Sequence, residues 1–303
     1  SYFQSDIVEE ETRAQSKSNI WFDQRSGRIT ASTFKAATKT DITKPSVSLI
    51  RKICYPKSHS FTSEATRWGC THEELARNYY EIQHRLAHSD VLVETAGFRI
   101  SPTHPFIGAS PDGYVSCSCC GPGVIEIKCT FCAKDLSVDE AADLGNFCLE
   151  KNEQGTIRLK PDHAYYYHVQ MQIFVTDRQY CDFVLWTERD RDSPFVERVT
   201  ANDSFFDKQL ECAKAFYKKC ILPELLGKTF SAPKPAAACA DNGQQWCYCR
   251  EPEDRDMLVC TSSFCSIKKF HKTCLHLKRN PKQWKCPSCR KVINSQKKKS
   301  LTS

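Results

Sequence analysis

The sequence predicts an α/β domain built on a small mixed sheet flanked by helices, followed by a small metal-stabilised module. Three observations lead there. Residues 1–226 alternate helical and strand patterns. Residues 227–245 lose that periodicity and turn rich in Ala, Pro and Gly. From residue 246 onward, cysteine and histidine recur at short, paired spacings.

Residues 65–87 place Trp68, Leu75, Ala76, Tyr79, Ile82 and Leu86 close to helical spacing, which predicts an amphipathic helix. Residues 91–100, VLVETAGFRI, read as a strand, and Pro102 and Pro105 interrupt the chain just after it. Residues 108–129, GASPDGYVSCSCCGPGVIEIKC, read as two strands joined at Gly121-Pro122-Gly123. A helix is expected over 161–176, with Pro161 near its first turn. QYCDFVLWT and PFVERVT are short strands. Residues 202–226 form a long amphipathic helix, interrupted or bent near Pro223. The stretch 227–245 reads as a linker, 246–290 as the metal module and 291–303 as a basic tail.

The chain has 303 residues and a formal net charge of +7, unevenly placed. Residues 246–303 carry +10, which leaves −3 for the rest. The basic end is a solvated tail or an attraction for nucleic acid. No apolar run is long enough to span a membrane, so none is expected as a partner. No secretory pattern is visible at the start, and the missing initiator Met suggests a trimmed chain. For nineteen cysteines, that favours a reducing interior and metal ligation over disulfides.

Alternate side chains of a strand share a face, so Glu126 and Lys128 point the same way. If the two strands pair, Asp112 comes to sit beside Glu126. Two converging carboxylates suit a hard cation such as Mg²⁺, and the Ile127 carbonyl adds another oxygen. Lys128 then orients a water or stabilises charge on a phosphate. The plain alternative is a partly solvated strand edge.

The fragment resembles the core of the PD-(D/E)-x-K nuclease superfamily. Over residues 18–200 the chain looks like its lambda-exonuclease-like, YqaJ viral recombinase branch. WFDQRSGRITAS, WGCTHEELARNYY, GASPDG, IEIKC and YYYHVQMQIFVT match the family's segments in order. The resemblance implies a restriction-endonuclease-like core, with Asp112 and Glu126 holding Mg²⁺ or Mn²⁺ and Glu73 a further acid. It implies that Lys128 positions the nucleophilic water. Arg25, Ser32 and Ser110 would grip a DNA 5′-phosphate, and Gln170 would match the helix glutamine near the metals. His168 stands where the family's Gln-x-Gln begins, which leaves Gln170 and Gln172 as alternatives for that place. The implied activity is 5′→3′ digestion of duplex DNA, with a ring-shaped trimer as the implied assembly. An endonuclease, an inactive DNA-end-binding protein and a chromatin adaptor are the alternatives.

In the C-terminal module, Cys247, Cys249, Cys260, Cys265, His271, Cys274, Cys286 and Cys289 have the donors and spacing of tetrahedral Zn²⁺ sites. The series resembles a PHD finger, with Trp284 two residues before Cys286, the seventh ligand. Its cross-brace implies two Zn²⁺. One is held by Cys247, Cys249, His271 and Cys274, the other by Cys260, Cys265, Cys286 and Cys289. Trp246 and Met257 occupy positions like those of a methyl-lysine cage, but Lys269 stands where histone-binding relatives carry Trp. A histone tail and DNA are thus alternative partners, and the finger type implies a nuclear location. Cys117, Cys119 and Cys120 cluster at the expected hairpin turn, with Cys129 and Cys132 beyond the Glu-x-Lys strand. Cys129 lies about 20 Å from that turn along an extended strand. One shared metal site is therefore not expected, and these read as reduced, partly buried thiols.

Overall fold

A five-stranded mixed sheet carries the first of the two units into which the chain divides, Ser1–Ser231 and Ala232–Ser303. The structure is a computed structural model that describes residues 2–59, 63–231, 247, 257–275, 281–290 and 292–293. The first unit opens with α1 (Tyr2–Glu11), α2 (Asn19–Arg25), β1 (Ile29–Thr30), α3 (Ala31–Lys39), α4 (Val47–Cys54) and α5 (Glu64–Ala87). Strands β2 (Leu92–Glu94), β3 (Arg99–Ile100), β4 (Ile107–Ala109), β5 (Gly113–Cys117) and β6 (Gly121–Cys129) succeed them. Next come α6 (Val138–Ala142), β7 (Leu149–Lys151), β8 (Ile157–Leu159) and α7 (Ala164–Thr176). The unit closes with β9 (Tyr180–Trp186), β10 (Phe195–Thr200), α8 (Asp203–Phe216) and α9 (Leu222–Gly227).

The main sheet runs β10-β9-β6-β5-β2, with β6 and β9 parallel and the other pairs antiparallel. β9 is buried at every position, as a central strand covered on both faces must be. α5 covers one face, packing Ala76 and Tyr80 with Ile125, Ile127 and Trp186. α7 covers the other through Val169 and Ile173, which meet Val124 and Phe183. Its Tyr167, Met171 and Val175 belong to a second core with α3, α4 and α8. A helix buried on both sides has no polar face, so its interior glutamines need protein partners. A small second sheet, β1-β4-β3, pairs β1 and β4 in parallel.

Three sequence expectations change. The run 91–100 is two strands in different sheets, split at Gly97. A Cβ there would lie 1.7 Å from the Glu9 carbonyl oxygen, and the Gly97 N–H donates to the Glu9 carboxylate at 2.8 Å. The hairpin turns at residues 118–120, because Cys117 pairs with Gly121 and Ser116 with Pro122. On α5, Leu75, Ile82 and Leu86 are exposed, and the buried face is Ala76, Tyr80 and His84. The long C-terminal helix does bend, through a π-helical turn at Tyr217–Ile221.

In the second unit, β11 (Met257–Val259) pairs with β12 (Lys269–His271), and Phe270 packs edge-on against Trp284 at 5.2 Å. Trp246, Cys249, most of the 227–245 linker and most of the 291–303 tail lie outside the described residues. Among the described residues, no helix is long and apolar enough to cross a membrane.

Gly97→Ala should destabilise the first unit by about 1–3 kcal/mol, since the obstacle is backbone. Gly69→Ala on α5 meets nothing within 4 Å and should gain up to about 1 kcal/mol. Urea unfolding of the two variants checks both signs.

Candidate active site

Asp112 ends the segment after β4, just before β5, and its Oδ2 accepts the Ile127 N–H at 2.6 Å. The Asp112 N–H in turn donates to the Ile125 carbonyl at 3.0 Å. These two bonds bind Asp112 to β6, beside Glu126. Glu126 itself is buried, 1% exposed. One of its oxygens accepts from Lys128 Nζ, with His168 Nε2 3.4 Å away, and the other accepts from Gln172 Nε2 at 2.6 Å. Lys128 also donates to the Ile127 carbonyl at 3.0 Å. Strand alternation has therefore put Glu126 and Lys128 on one face, and the antiparallel hairpin has delivered Asp112 to them.

Burial, then the Glu126 charge, push Asp112 up to about 7 against the pull of Lys128 and the Ile127 N–H. Glu73 on α5 is raised in the same way, by burial first and then by Asp112. Its partner is Arg77, one turn on, which reaches Glu73 at 3.2 Å and also donates to the Asp112 carbonyl. Burial opposes the Lys128 charge, yet Glu126 and Asp112 hold its pKa above the ordinary value. His168 is driven well below its usual value by burial, Lys128 and Arg25, so its imidazole is neutral.

A second cluster gathers around Arg25. Arg25 ends α2 and stacks over the Trp21 ring at 3.8 Å. Burial brings it down to about 10, and among the described residues no carboxylate or acceptor pairs with its guanidinium. Trp21 Nε1 donates to Ser110 Oγ at 2.9 Å. Ser32 is the second residue of α3, with its hydroxyl 3.2 Å from that of Thr30. Parallel pairing of β1 and β4 sends both segments out at the same end, toward Ser32 and toward Ser110. A cavity of about 160 Å³ is lined by Trp21, Arg25, Arg28, Thr30 and Lys52, with neither Ser32 nor Ser110 in its wall.

Gln170 does not face the acids. Its Nε2 donates to the Thr200 carbonyl at 2.8 Å, and its Oε1 accepts the Asn202 N–H at 2.8 Å. The glutamine at Glu126 is Gln172. Sequence alone leaves the two open, and it gives no role to Arg77 or Trp21.

In the second unit, Cys260, Cys265, Cys286 and Cys289 place their sulfurs within 4.8 Å of one another, all buried. Cys247, His271 and Cys274 form a second such group, and Cys249 lies outside the described residues. Met257 pairs with His271 in the strand ladder and is half-buried. Both groups have the donor chemistry of structural Zn²⁺.

The family described as the YqaJ-like viral recombinase domain matches residues 20–179. The fold is similar to that of an alkaline exonuclease from Laribacter hongkongensis, solved in complex with dAMP. The TM-score is 0.51 at 25% identity, covering 69% of this chain and 95% of that one. An uncharacterized protein of Acanthamoeba polyphaga mimivirus is 24% identical over 187 residues, 59% of this chain and 30% of that protein. A PHD finger protein of Arabidopsis thaliana is 37% identical over 57 residues, 18% of this chain and 24% of that protein. The chain thus spans less than a third of either protein's length.

A raised carboxyl pKa means that ionised Asp112 costs stability, so the cost is full above about pH 7 and fades toward the unfolded value of 3.8. Without added magnesium or manganese, Asp112→Asn should melt higher than the parent at pH 8, with the gap closing by pH 4. Thermal melts at a series of pH values check this.

Proposed function

The chain belongs to the YqaJ-like viral recombinase domain family, and on that premise we propose that it is a metal-dependent DNA nuclease acting from a 5′-phosphorylated duplex end. One observation carries the reading. A half-buried guanidinium, without an acceptor among the described residues, stands on Trp21 beside Ser110, two residues before the Asp112 of a carboxylate–lysine cluster. The first fits a phosphate and the second fits a cation.

The donor set supports a hard ion. Glu73, Asp112, Glu126 and the Ile127 carbonyl offer only oxygen, and Asp112 sits at about 7 because no positive charge offsets both its burial and Glu126. When bound there, Mg²⁺ or Mn²⁺ supplies charge that acidifies water and stabilises a leaving oxygen. The rest is done by side chains. Lys128, anchored by Glu126 and the Ile127 carbonyl, points a proton donor at the attacking water and the phosphate oxygens. Gln172 and the neutral His168 fix Glu126, so that Lys128 has one position. Arg25 forks two donors to a terminal phosphate, with one hydroxyl each from Ser32 and Ser110. Water oxygen bonds to phosphorus as the bond to the 3′-oxygen breaks. The shortened strand then begins with a new 5′-phosphate that the same pocket accepts.

The second unit's similarity to a PHD finger protein supports two structural Zn²⁺ there and a role in directing the nuclease to chromatin or DNA in the nucleus. With magnesium, linear 5′-phosphorylated duplex should be degraded and a closed circle left intact. Asp112→Asn should lower the rate by at least about 10²-fold. Arg25→Ala should erase the preference for 5′-phosphate over 5′-hydroxyl ends. Undiminished cleavage by the Asp112 variant removes the enzymatic reading, and a linearised circle replaces exonuclease with endonuclease.

A further inference from the structure

We propose that His88, Cys117, Cys119 and Cys120 form a third zinc site, within the nuclease unit, which clamps the end of α5 to the β5–β6 turn. The hairpin supplies three ligands. Its loop is residues 118–120, and Gly121, at φ +70°, allows the chain to re-enter the ladder opposite Cys117. This curls Cys117, Cys119 and Cys120 around one point. The fourth donor comes from elsewhere in the chain: His88 caps α5 and enters against the turn. The Ser118 N–H donates to the Ser89 carbonyl at 3.1 Å, so backbone already joins the two segments.

The spacing is that of ligands around a single ion. His88 Nδ1 lies 3.8 Å from Cys117 Sγ, 3.1 Å from Cys119 Sγ and 3.5 Å from Cys120 Sγ. Cys119 Sγ is 3.4 Å from Cys117 Sγ and 3.8 Å from Cys120 Sγ. A tetrahedron with Zn–S near 2.3 Å and Zn–N near 2.0 Å requires about 3.8 Å between sulfurs and about 3.5 Å from sulfur to nitrogen. The sulfurs are too far apart for a disulfide at about 2.05 Å. They are too close for a 4Fe–4S core, in which each cysteine binds its own iron. Thiols are weak hydrogen-bond donors, so mutual hydrogen bonding gives little reason for three to converge on an imidazole. A thiolate-binding cation does. His88 is oriented by stacking on His84 at 4.0 Å, and His84 on Tyr80 at 5.1 Å, which fixes the ring from the helix side.

Such a clamp would make metal binding part of folding. It holds α5, which carries Glu73, against the hairpin that carries Glu126 and Lys128. Cys129 and Cys132 take no part in the group, whereas the sequence reading expected reduced thiols here and no shared metal site.

The test uses the full chain as purified. N-ethylmaleimide should label the exposed Cys70 and Cys212 at once, but exposed Cys119 at least about tenfold more slowly until a chelator is added. Mass spectrometry of the peptides reads each site. By elemental analysis, Cys119→Ser and His88→Ala should each hold one zinc per chain fewer than the parent. Labelling of Cys119 at the rate of Cys70 overturns the proposal without any variant. An unchanged zinc content in both variants, or iron in place of zinc, also overturns it.

Discussion

The contact between Lys128 and Glu126 constrains everything around it. Glu126 lies on a strand that is buried from Gly123 to Ile127, where a lone carboxylate cannot stay ionised. Lys128 answers the charge from two residues along the same strand, Gln172 answers it from α7, and His168 crowds the same oxygen. Removing one partner from such a buried pair costs about 3–5 kcal/mol. The carboxylate thus ties helix to sheet, and the geometry of the site is also the geometry of the core. Asp112 extends the same lock, since the N–H it captures belongs to Ile127, between the two charged residues.

The electrostatics leave two unmet demands, of opposite sign. Around Glu126, the acids outnumber what Lys128 and Arg77 can neutralise, and Asp112 and Glu73 both shift toward protonation. Around Trp21, Arg25 loses solvation without gaining a carboxylate. Structural ion-pair networks tend to cancel their charges, whereas binding sites leave a remainder for the ligand to cancel. Here the remainder is negative around Glu126 and positive at Arg25. A phosphodiester that arrives with a divalent cation has the matching pattern.

The strand pair of the candidate site was legible because its logic is local. Period-two alternation and one hairpin are enough to bring Asp112, Glu126 and Lys128 together. The turn inside that hairpin was misplaced for a physical reason. Gly-Pro-Gly is a strong turn signal, yet Gly123 is there for packing, since a Cβ would lie 2.3 Å from the Tyr180 ring. Only Gly121 serves the turn. On α5, apolar spacing favoured Leu75, Ile82 and Leu86, but burial went to Tyr80 and His84. Tyr80 is held inside by donating to Asp182 at 2.7 Å, and Asp182 takes two bonds from Arg198, at 2.8 and 2.9 Å. Periodicity does not register a buried polar network. For the same reason it could not separate Gln170 from Gln172 on a helix covered on both sides. His88 sits 29 residues from Cys117, too far for any spacing rule to join them.

Helix α5 is packed against the sheet along both of its halves. Its C-terminal half is held by Tyr80 on Asp182 and by the contact of His88 with the hairpin sulfurs. At 1.5 Å per residue, Glu73 lies about 22 Å from His88 along the axis. There Ala76 is buried against the sheet and His72 stacks on Trp186 at 4.9 Å, while the Arg77 guanidinium spans the Glu73 carboxylate and the Asp112 carbonyl. With 40% of its side chain accessible, Glu73 is far more exposed than Glu126, at 2%. The two acids therefore differ in kind. Glu126 is locked inside the sheet by Lys128 and Gln172, whereas the Glu73 carboxylate sits on a packed helix with its oxygens partly open to solvent.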